Sequence, residues 1–234
     1  MKNYTLIGFP RTGTAWFKYH FREYYGNSNY LGEYFSKFEY THIENNVYYK
    51  VRRNQSSQRY SKKISFLNSE RINNNEYYIK YMVHHINELD ENFPNWWNEF
   101  YKDYEKIKVL NKNVWRIFLS NSYQDYTKWK KTGNWKVKNF KLEKFYTSFE
   151  YIQIFCKLYN DYINFDRYDV LFDVNKIDND FVMNYLNNNT YVNKPRYIHD
   201  YEKYLISDID LVKEELKKEL KKYNLEFLDN GKIL

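Results

Sequence analysis

The fold of this chain is decided by residues 4–16, which read Tyr-Thr-Leu-Ile-Gly-Phe-Pro-Arg-Thr-Gly-Thr-Ala-Trp. An apolar run ends in Gly-Phe-Pro, a small polar turn follows, and a helical pattern starts at about Ala15. This order predicts a strand, a tight turn and the N-terminus of a helix. Converging N–H groups and the helix dipole favour an anion at such a point.

The glycine spacing of the turn resembles that of the P-loop, G-x-x-x-x-G-K-[ST], which binds nucleotide phosphates. Gly8 and Gly13 fit the spacing, but Thr14 and Ala15 stand where the P-loop has its phosphate-binding Lys and its magnesium-binding hydroxyl. The cation lies inside the turn instead, at Arg11. The pattern favours an anionic cofactor handled without magnesium, and a strand-to-helix turn with no ligand is the alternative.

The same stretch resembles the 5′-phosphosulfate loop of sulfotransferases, enzymes that use 3′-phosphoadenosine 5′-phosphosulfate (PAPS). The family pattern is Pro-Lys/Arg-Ser/Thr-Gly-Thr-Thr, commonly followed by Trp, and the matching residues are Pro10, Arg11, Thr12, Gly13, Thr14 and Trp16. Ala15 departs from the pattern, since the family usually has a hydroxyl residue there. The resemblance implies that residues 10–16 bind the 5′ end of PAPS, that Arg11 is catalytic, and that no metal is required.

A second resemblance begins about a hundred residues later, where the pattern predicts a strand at 106–110 and then a helix. Sulfotransferases hold the 3′-phosphate with an Arg at such a strand end and a Ser eight residues later. Lys112 takes the Arg position, Asn113 matches the Asn that commonly follows, and Ser120 matches the Ser. Because Lys lacks the bidentate geometry of Arg, Arg116 on the same helix face is the candidate for the missing fork. The alternative for Ser120 is a surface hydroxyl.

An acceptor hydroxyl is a poor nucleophile at pH 7, so transfer needs a base. In several sulfotransferases a Gly-Glu segment lines the acceptor pocket, and Glu33 is similarly placed. The pattern predicts a buried strand over 77–85. In it, Lys80 resembles the family Lys that approaches the transferring group, and His84 and His85 are the other candidate bases. An exposed loop acid and a locally hydrogen-bonded histidine pair are the alternatives.

Two later segments carry further candidates. Trp129 and Trp135 flank a Gly turn among lysines, which suits an acidic or sugar ligand, although indole packing under a loop explains them equally. In the family a late basic loop closes over the adenosine 3′-phosphate, and Lys194 and Arg196 resemble that loop.

The composition sets broad limits. The 234 residues predict one domain, 1–234, and the formal net charge of +7 suggests an acidic partner or a solvated surface. The single cysteine, Cys156, excludes an internal disulfide and lies in an apolar helical pattern, which predicts a buried, inert thiol. The sequence shows neither a secretory segment nor a long apolar run, so we expect a soluble, cytoplasmic protein without a membrane anchor.

Strands alternate with helical segments along the chain, which predicts an α/β fold with a central parallel sheet and helices on both faces. Helices are expected over 14–25, 93–104, 140–163, 181–186 and 208–223, with a further strand over 169–174. The function expected is transfer of a sulfuryl group from PAPS to a hydroxyl, with sugar acceptors suited to the Trp-rich loop. A P-loop nucleotide kinase and a polyanion or nucleic-acid binder are the alternatives.

Overall fold

The structure is a computed structural model that describes residues 3–26, 30–32, 34–35, 38–44, 47–52, 57–73, 78–130, 144–187 and 200–229. Its contacts divide the chain into two compact units. The first contains residues 1–36, 55–111 and 161–197, and the second contains 37–54, 112–160 and 198–234. The expectation of one domain stays a prediction.

A parallel sheet forms the centre of the first unit. Its strands are β1 (Tyr4–Gly8), β2 (Tyr30–Gly32), β5 (Tyr78–Met82), β6 (Glu105–Leu110) and β7 (Val170–Asp173). The order is β2-β5-β1-β6-β7, and every neighbouring pair is parallel. Four strands, β5-β1-β6-β7, are in continuous register, and the short β2 joins β5 with a register shift. The predicted α/β fold with a parallel sheet is confirmed.

The helices of the first unit are α1 (Thr14–Tyr25), α2 (Ser57–Ile72), α3 (Val83–Asn92), α4 (Trp96–Phe100) and α7 (Asn179–Tyr185). The second unit contains the antiparallel hairpin of β3 (Phe38–Glu44) and β4 (Val47–Arg52). It also contains α5 (Val114–Lys130), most of α6 (Phe149–Ile163), and α8 (Ile209–Lys221). The last residues of α6 belong to the first unit.

The strand β1 is buried on both faces because it lies inside the sheet. Leu6 shares a core cluster with Phe17 and Phe21 of α1, on the face that α1 and α7 cover. On the other face, the ring of Tyr81 packs against Trp97 of α4. Helical residues therefore cover both faces of the sheet in this unit.

Three sequence-based boundaries are wrong. The strand expected over 77–85 ends at Met82, where α3 begins. The helix expected over 93–104 is only α4, because Asn95 before it has a left-handed backbone with φ 65°. The helix expected over 140–163 starts at Phe149, where the Ser148 hydroxyl accepts from the N–H of Tyr151.

Other expectations agree with the structure. The helix over 14–25 has the predicted bounds, and the strand over 169–174 and helices over 181–186 and 208–223 correspond to β7, α7 and α8. Cys156 is buried, and burial raises the pKa of its thiol to about 12. Within the described residues, no helix combines the length and apolarity needed to cross a bilayer.

Candidate functional site

The sheet changes its winding direction between β1 and β6. After β1 the chain goes through α1 to the β2 side of the sheet, whereas β7 lies on the far side of β6. In open parallel sheets, ligands bind in the crevice outside the carboxyl ends of strands at such a switch point. Residues 9–13 leave β1 at this point, and Asn111 is the first residue after β6. The fold thus places the predicted anion loop where a ligand crevice is expected.

The turn over 9–13 is closed by Thr12. Its N–H donates to the carbonyl oxygen of Phe9 over 3.2 Å, and its hydroxyl donates to the same oxygen over 2.7 Å. Thr12 is fully buried. Its hydroxyl proton is therefore used within the protein, and Thr12 contributes by shaping the turn rather than by donating to a ligand.

Two residues of the turn have left-handed backbones. Gly13 has φ 95° and precedes the first residue of α1, and it adopts this conformation at little cost. Arg11 has φ 69°, which costs a non-glycine residue about 1 kcal/mol. The side chain of Arg11 is exposed at the carboxyl edge of the sheet. Arg11 therefore holds its guanidinium on a left-handed backbone that glycine would adopt more easily.

The N-cap residue of α1 is Gly13, which makes no side-chain cap. The N–H of Trp16 donates to the carbonyl oxygen of Gly13 over 2.9 Å. In the described part of the chain, the N–H groups of Gly13 and Thr14 donate to no protein acceptor. Two backbone donors with no acceptor among the described residues, beside a left-handed turn, form the kind of arrangement that binds phosphate-like anions.

Packing also limits the space for a side chain at Gly8 and at Gly13. A Cβ on Gly8 would lie 2.3 Å from Cγ2 of Thr14, and one on Gly13 would lie 3.2 Å from Cγ1 of Val174. Gly8 is therefore needed because α1 starts against the end of β1, as in turns where a helix approaches a strand closely. Trp16 is 8 % exposed and belongs to the core cluster on the α1 face, so its side chain anchors the start of α1 in the core.

Three further candidates lie on β5 and α3. Lys80 is 6 % exposed and lies level with Leu6, two residues before the strand ends. His84 and His85 lie in the first turn of α3, immediately after the carboxyl end of β5, which neighbours β1. Both histidines therefore follow the strand end adjacent to that of β1, at the edge where the Arg11 turn begins.

The two histidines differ as bases. His85 is buried, and its Nδ1 accepts from the N–H of Met82 over 3.4 Å. An accepting Nδ1 carries no proton, so the neutral ring of His85 has its proton on Nε2, and taking a second proton on Nδ1 would break the bond from Met82. His84 is half-buried, with its ring edge-on to His85 at 4.4 Å. His84 is accordingly the better base of the pair.

The second unit contains the residues of the predicted 3′-phosphate motif at the start of α5. The amide oxygen of Asn113 accepts from the N–H of Arg116 over 3.1 Å, so Asn113 caps the helix. Lys112 is exposed, Arg116 is half-buried and Ser120 is buried. Burial lowers the pKa of the Arg116 guanidinium, which nevertheless stays charged at neutral pH. Arg116 and Ser120 share a helix face, as the sequence predicted.

The remaining candidates lie beyond what the structure describes. Glu33, Trp135, Lys194 and Arg196 fall outside the described residues. For Ala15 and Trp129 the backbone is described, in α1 and α5, but the side chain is not. Among the described residues, no group of three or more His, Cys, Asp or Glu is placed to hold a metal ion.

Sequence reasoning missed two buried polar residues near the switch point. Lys108 of β6 donates from Nζ to the carbonyl oxygens of Ile163 and Phe165, over 2.9 and 2.7 Å. Desolvation lowers the pKa of the Lys108 ammonium to about 8. Tyr162 of α6 hydrogen-bonds the end of β6. The signal for Lys108 is a lysine between Ile107 and Val109 in an apolar strand, whereas nothing local marks Tyr162.

Comparisons with protein-family models, with curated proteins and with solved structures found no match to this chain. Its function is therefore argued from the turn over 9–13, the switch point and the residues that follow the neighbouring strands.

Proposed function

We propose that this protein is a sulfotransferase that moves a sulfuryl group from PAPS to an acceptor hydroxyl, with a carbohydrate as the acceptor class. The observation that carries the proposal is the turn after β1. It combines the guanidinium of Arg11 with the N–H groups of Gly13 and Thr14, which donate to no acceptor among the described residues, at the switch point of a parallel sheet. A compact anion is the ligand that such a turn suits.

The residues of the turn fit a phosphosulfate better than a triphosphate. A P-loop kinase needs a Lys and a magnesium-binding hydroxyl directly after its second glycine, and here those positions are Thr14 and Ala15. Moreover, Thr14 is 3 % exposed and packs its methyl group against Gly8. A sulfuryl group carries less charge than a phosphoryl group, so it can be transferred without the magnesium ion that these positions lack.

PAPS supplies an activated sulfuryl group, whose bond to the 5′-phosphate oxygen breaks as the acceptor oxygen bonds to sulfur in line. Arg11 and the N–H groups of residues 13–15 stabilise the negative charge that develops on the leaving phosphate. Lys80 assists at the sulfuryl oxygens. We assign the 3′-phosphate to Lys112, Arg116 and Ser120, with Lys194 and Arg196 covering it, on the strength of the sequence motifs.

The acceptor proton needs a base at the carboxyl edge of the sheet. Glu33 is the next residue in the sequence after β2 and lies outside the described residues, whereas His84 follows the carboxyl end of β5, the strand next to β1. His85 is the third candidate, in which Nδ1 is already engaged. Trp129 and Trp135 are assigned to the acceptor, because indole faces stack on sugar rings.

The test is transfer of radiolabelled sulfate from PAPS to a panel of glycans, with wild-type protein and with Arg11→Ala. We expect labelled product with the wild type, in EDTA as well as in buffer with magnesium, and at least about a hundredfold less with the variant. Absence of product across the panel, together with magnesium-dependent ATP binding, would instead support a nucleotide kinase.

A further inference from the structure

The strands β1 and β6 stop pairing near their carboxyl ends, and we call the gap between their last residues the seam. The carbonyl oxygen of Leu110 accepts from the N–H of Val174, on the β7 side of β6. Backbone groups of successive strand residues point to alternate sides. The carbonyl oxygen of Val109 and the N–H of Asn111 therefore point toward β1.

The paired register of β1 and β6 ends at Ile7 and Lys108, before these two groups. The strand β1 ends at Gly8, and Pro10 has no N–H with which to continue the ladder. A buried carbonyl or a buried N–H destabilises a fold unless it has a hydrogen-bond partner. The hydroxyl of Tyr162 takes both places, donating to the Val109 oxygen over 2.7 Å and accepting from the Asn111 N–H over 3.0 Å.

The ring of Tyr162 contacts the other side of the seam. It lies 5.4 Å from the ring of Phe9, the first residue of the turn after β1, with 31° between the planes. Tyr162 is fully buried. One side chain therefore touches the residue that starts the anion turn and the backbone that leaves β6.

The end of α6 that bears Tyr162 is itself held in place. Lys108 donates from Nζ to the carbonyl oxygens of Ile163 and Phe165, and its ammonium lies 5.5 Å from the centre of the Tyr162 ring. A cation at the C-terminus of a helix is favoured by the helix dipole. Tyr162 thus has little freedom to move away from the seam.

We propose that Tyr162 is the positioning residue of the nucleotide site. Its hydroxyl sets the backbone of Asn111, the residue before Lys112, and its ring sets Phe9 at the start of the Arg11 turn. The inference rests on the proposed function, in which Lys112 binds the 3′-phosphate and Arg11 the 5′ end. Tyr162 touches neither phosphate in this scheme and acts through the backbone of the two loops.

The test compares Tyr162→Phe with Tyr159→Phe, which also removes a buried phenol hydroxyl from α6, one turn earlier. Calorimetry measures the dissociation constants for 3′-phosphoadenosine 5′-phosphate and for AMP, which lacks the 3′-phosphate. We expect Tyr162→Phe to weaken the first about tenfold and the second less than about twofold. Tyr159→Phe should leave the ratio of the two constants at the wild-type value.

A purely structural role would lower thermal stability and weaken both nucleotides alike, leaving the ratio unchanged. Tyr162→Leu, which also loses the ring beside Phe9, should weaken both nucleotides. Amide exchange followed by NMR gives a readout without nucleotide: the Asn111 N–H should exchange at least about tenfold faster in Tyr162→Phe and not in Tyr159→Phe.

The outcomes separate the two proposals. If the wild type binds 3′-phosphoadenosine 5′-phosphate no better than AMP, the proposed function fails and this inference falls with it. If the wild type discriminates and Tyr162→Phe discriminates equally, with Asn111 exchange unchanged, Tyr162 is not a positioning residue and the function stands.

Discussion

Thr14 occupies the space in which a side chain on Gly8 would begin. A Cβ built on Gly8 would lie 2.3 Å from Cγ2 of Thr14, closer than atoms of folded proteins approach. The first residue of α1 is thus packed against the last residue of β1, and the turn between them is short. This contact explains why the chain has glycine at position 8.

Gly8→Ala should destabilise the protein by about 1–3 kcal/mol, because the new methyl group has to displace the start of α1. Replacing Thr14 with Ser removes Cγ2, the atom in the way. We therefore expect Gly8→Ala/Thr14→Ser to recover at least about 0.5 kcal/mol relative to the sum of the single changes. Urea unfolding of the four proteins measures this coupling. Simple additivity would show that the contact does not constrain the turn.

Arg11→Gly should separate function from stability. Glycine relieves the left-handed strain at φ 69° but adds chain entropy, so the free energy of unfolding should change by less than about 1 kcal/mol. Binding of 3′-phosphoadenosine 5′-phosphate should nevertheless weaken at least about tenfold. Asn95→Gly is the matched control, since Asn95 has φ 65° outside the turn and its replacement should leave binding intact. Equal binding by Arg11→Gly and wild type would remove Arg11 from the site.

Lys80→Met tests whether this buried lysine reaches the sulfuryl group. PAPS has that group and 3′-phosphoadenosine 5′-phosphate lacks it, so the variant should bind PAPS about tenfold more weakly and the product within about twofold of wild type. Calorimetry with both nucleotides gives the ratio. Lys108→Met removes another buried lysine, from the opposite face of the sheet, and should not change it. Equal weakening of both nucleotides by Lys80→Met would argue against contact with sulfur.

Lys108 should make stability depend on pH. Desolvation lowers the pKa of its ammonium from 10.5 to about 8 in the folded state, so between these values the unfolded chain binds more protons. The contribution of Lys108 to the free energy of unfolding should then rise with pH from 8 to 10.5, by up to about 3 kcal/mol. From pH 7.5 to 9.5, the free energy of unfolding measured in urea should rise less in Lys108→Met than in wild type. An identical change in both would mean that Lys108 is not desolvated.

The parts of the fold that sequence predicts well are those governed by local periodicity. Trp16, Phe17, Phe21 and Tyr24 recur at helical spacing, and α1 has the predicted bounds. The apolar strands 106–110 and 169–174 are likewise visible because buried parallel strands read as short apolar runs. The order of strands within the sheet is set by tertiary packing and could not be read from them.

The errors come from residues that interrupt a pattern. Asn95 breaks a run of aromatics that otherwise reads as one helix, and Ser148 starts α6 several residues later than its apolar pattern suggests. Sequence reasoning missed the hairpin of β3 and β4, although two runs rich in aromatic and β-branched residues flank Asn45-Asn46 in the sequence. The Tyr162 hydroxyl bonds residues more than fifty positions away, which no local signal announces.

The central claim, that the Arg11 turn belongs to a PAPS site, is tested most directly by calorimetric titration of the wild-type protein with 3′-phosphoadenosine 5′-phosphate and with AMP, both in EDTA. The account predicts saturable, metal-independent binding of the first nucleotide, at least about tenfold tighter than that of AMP. Equal affinity for the two nucleotides, or binding that appears only with magnesium and ATP, would contradict it.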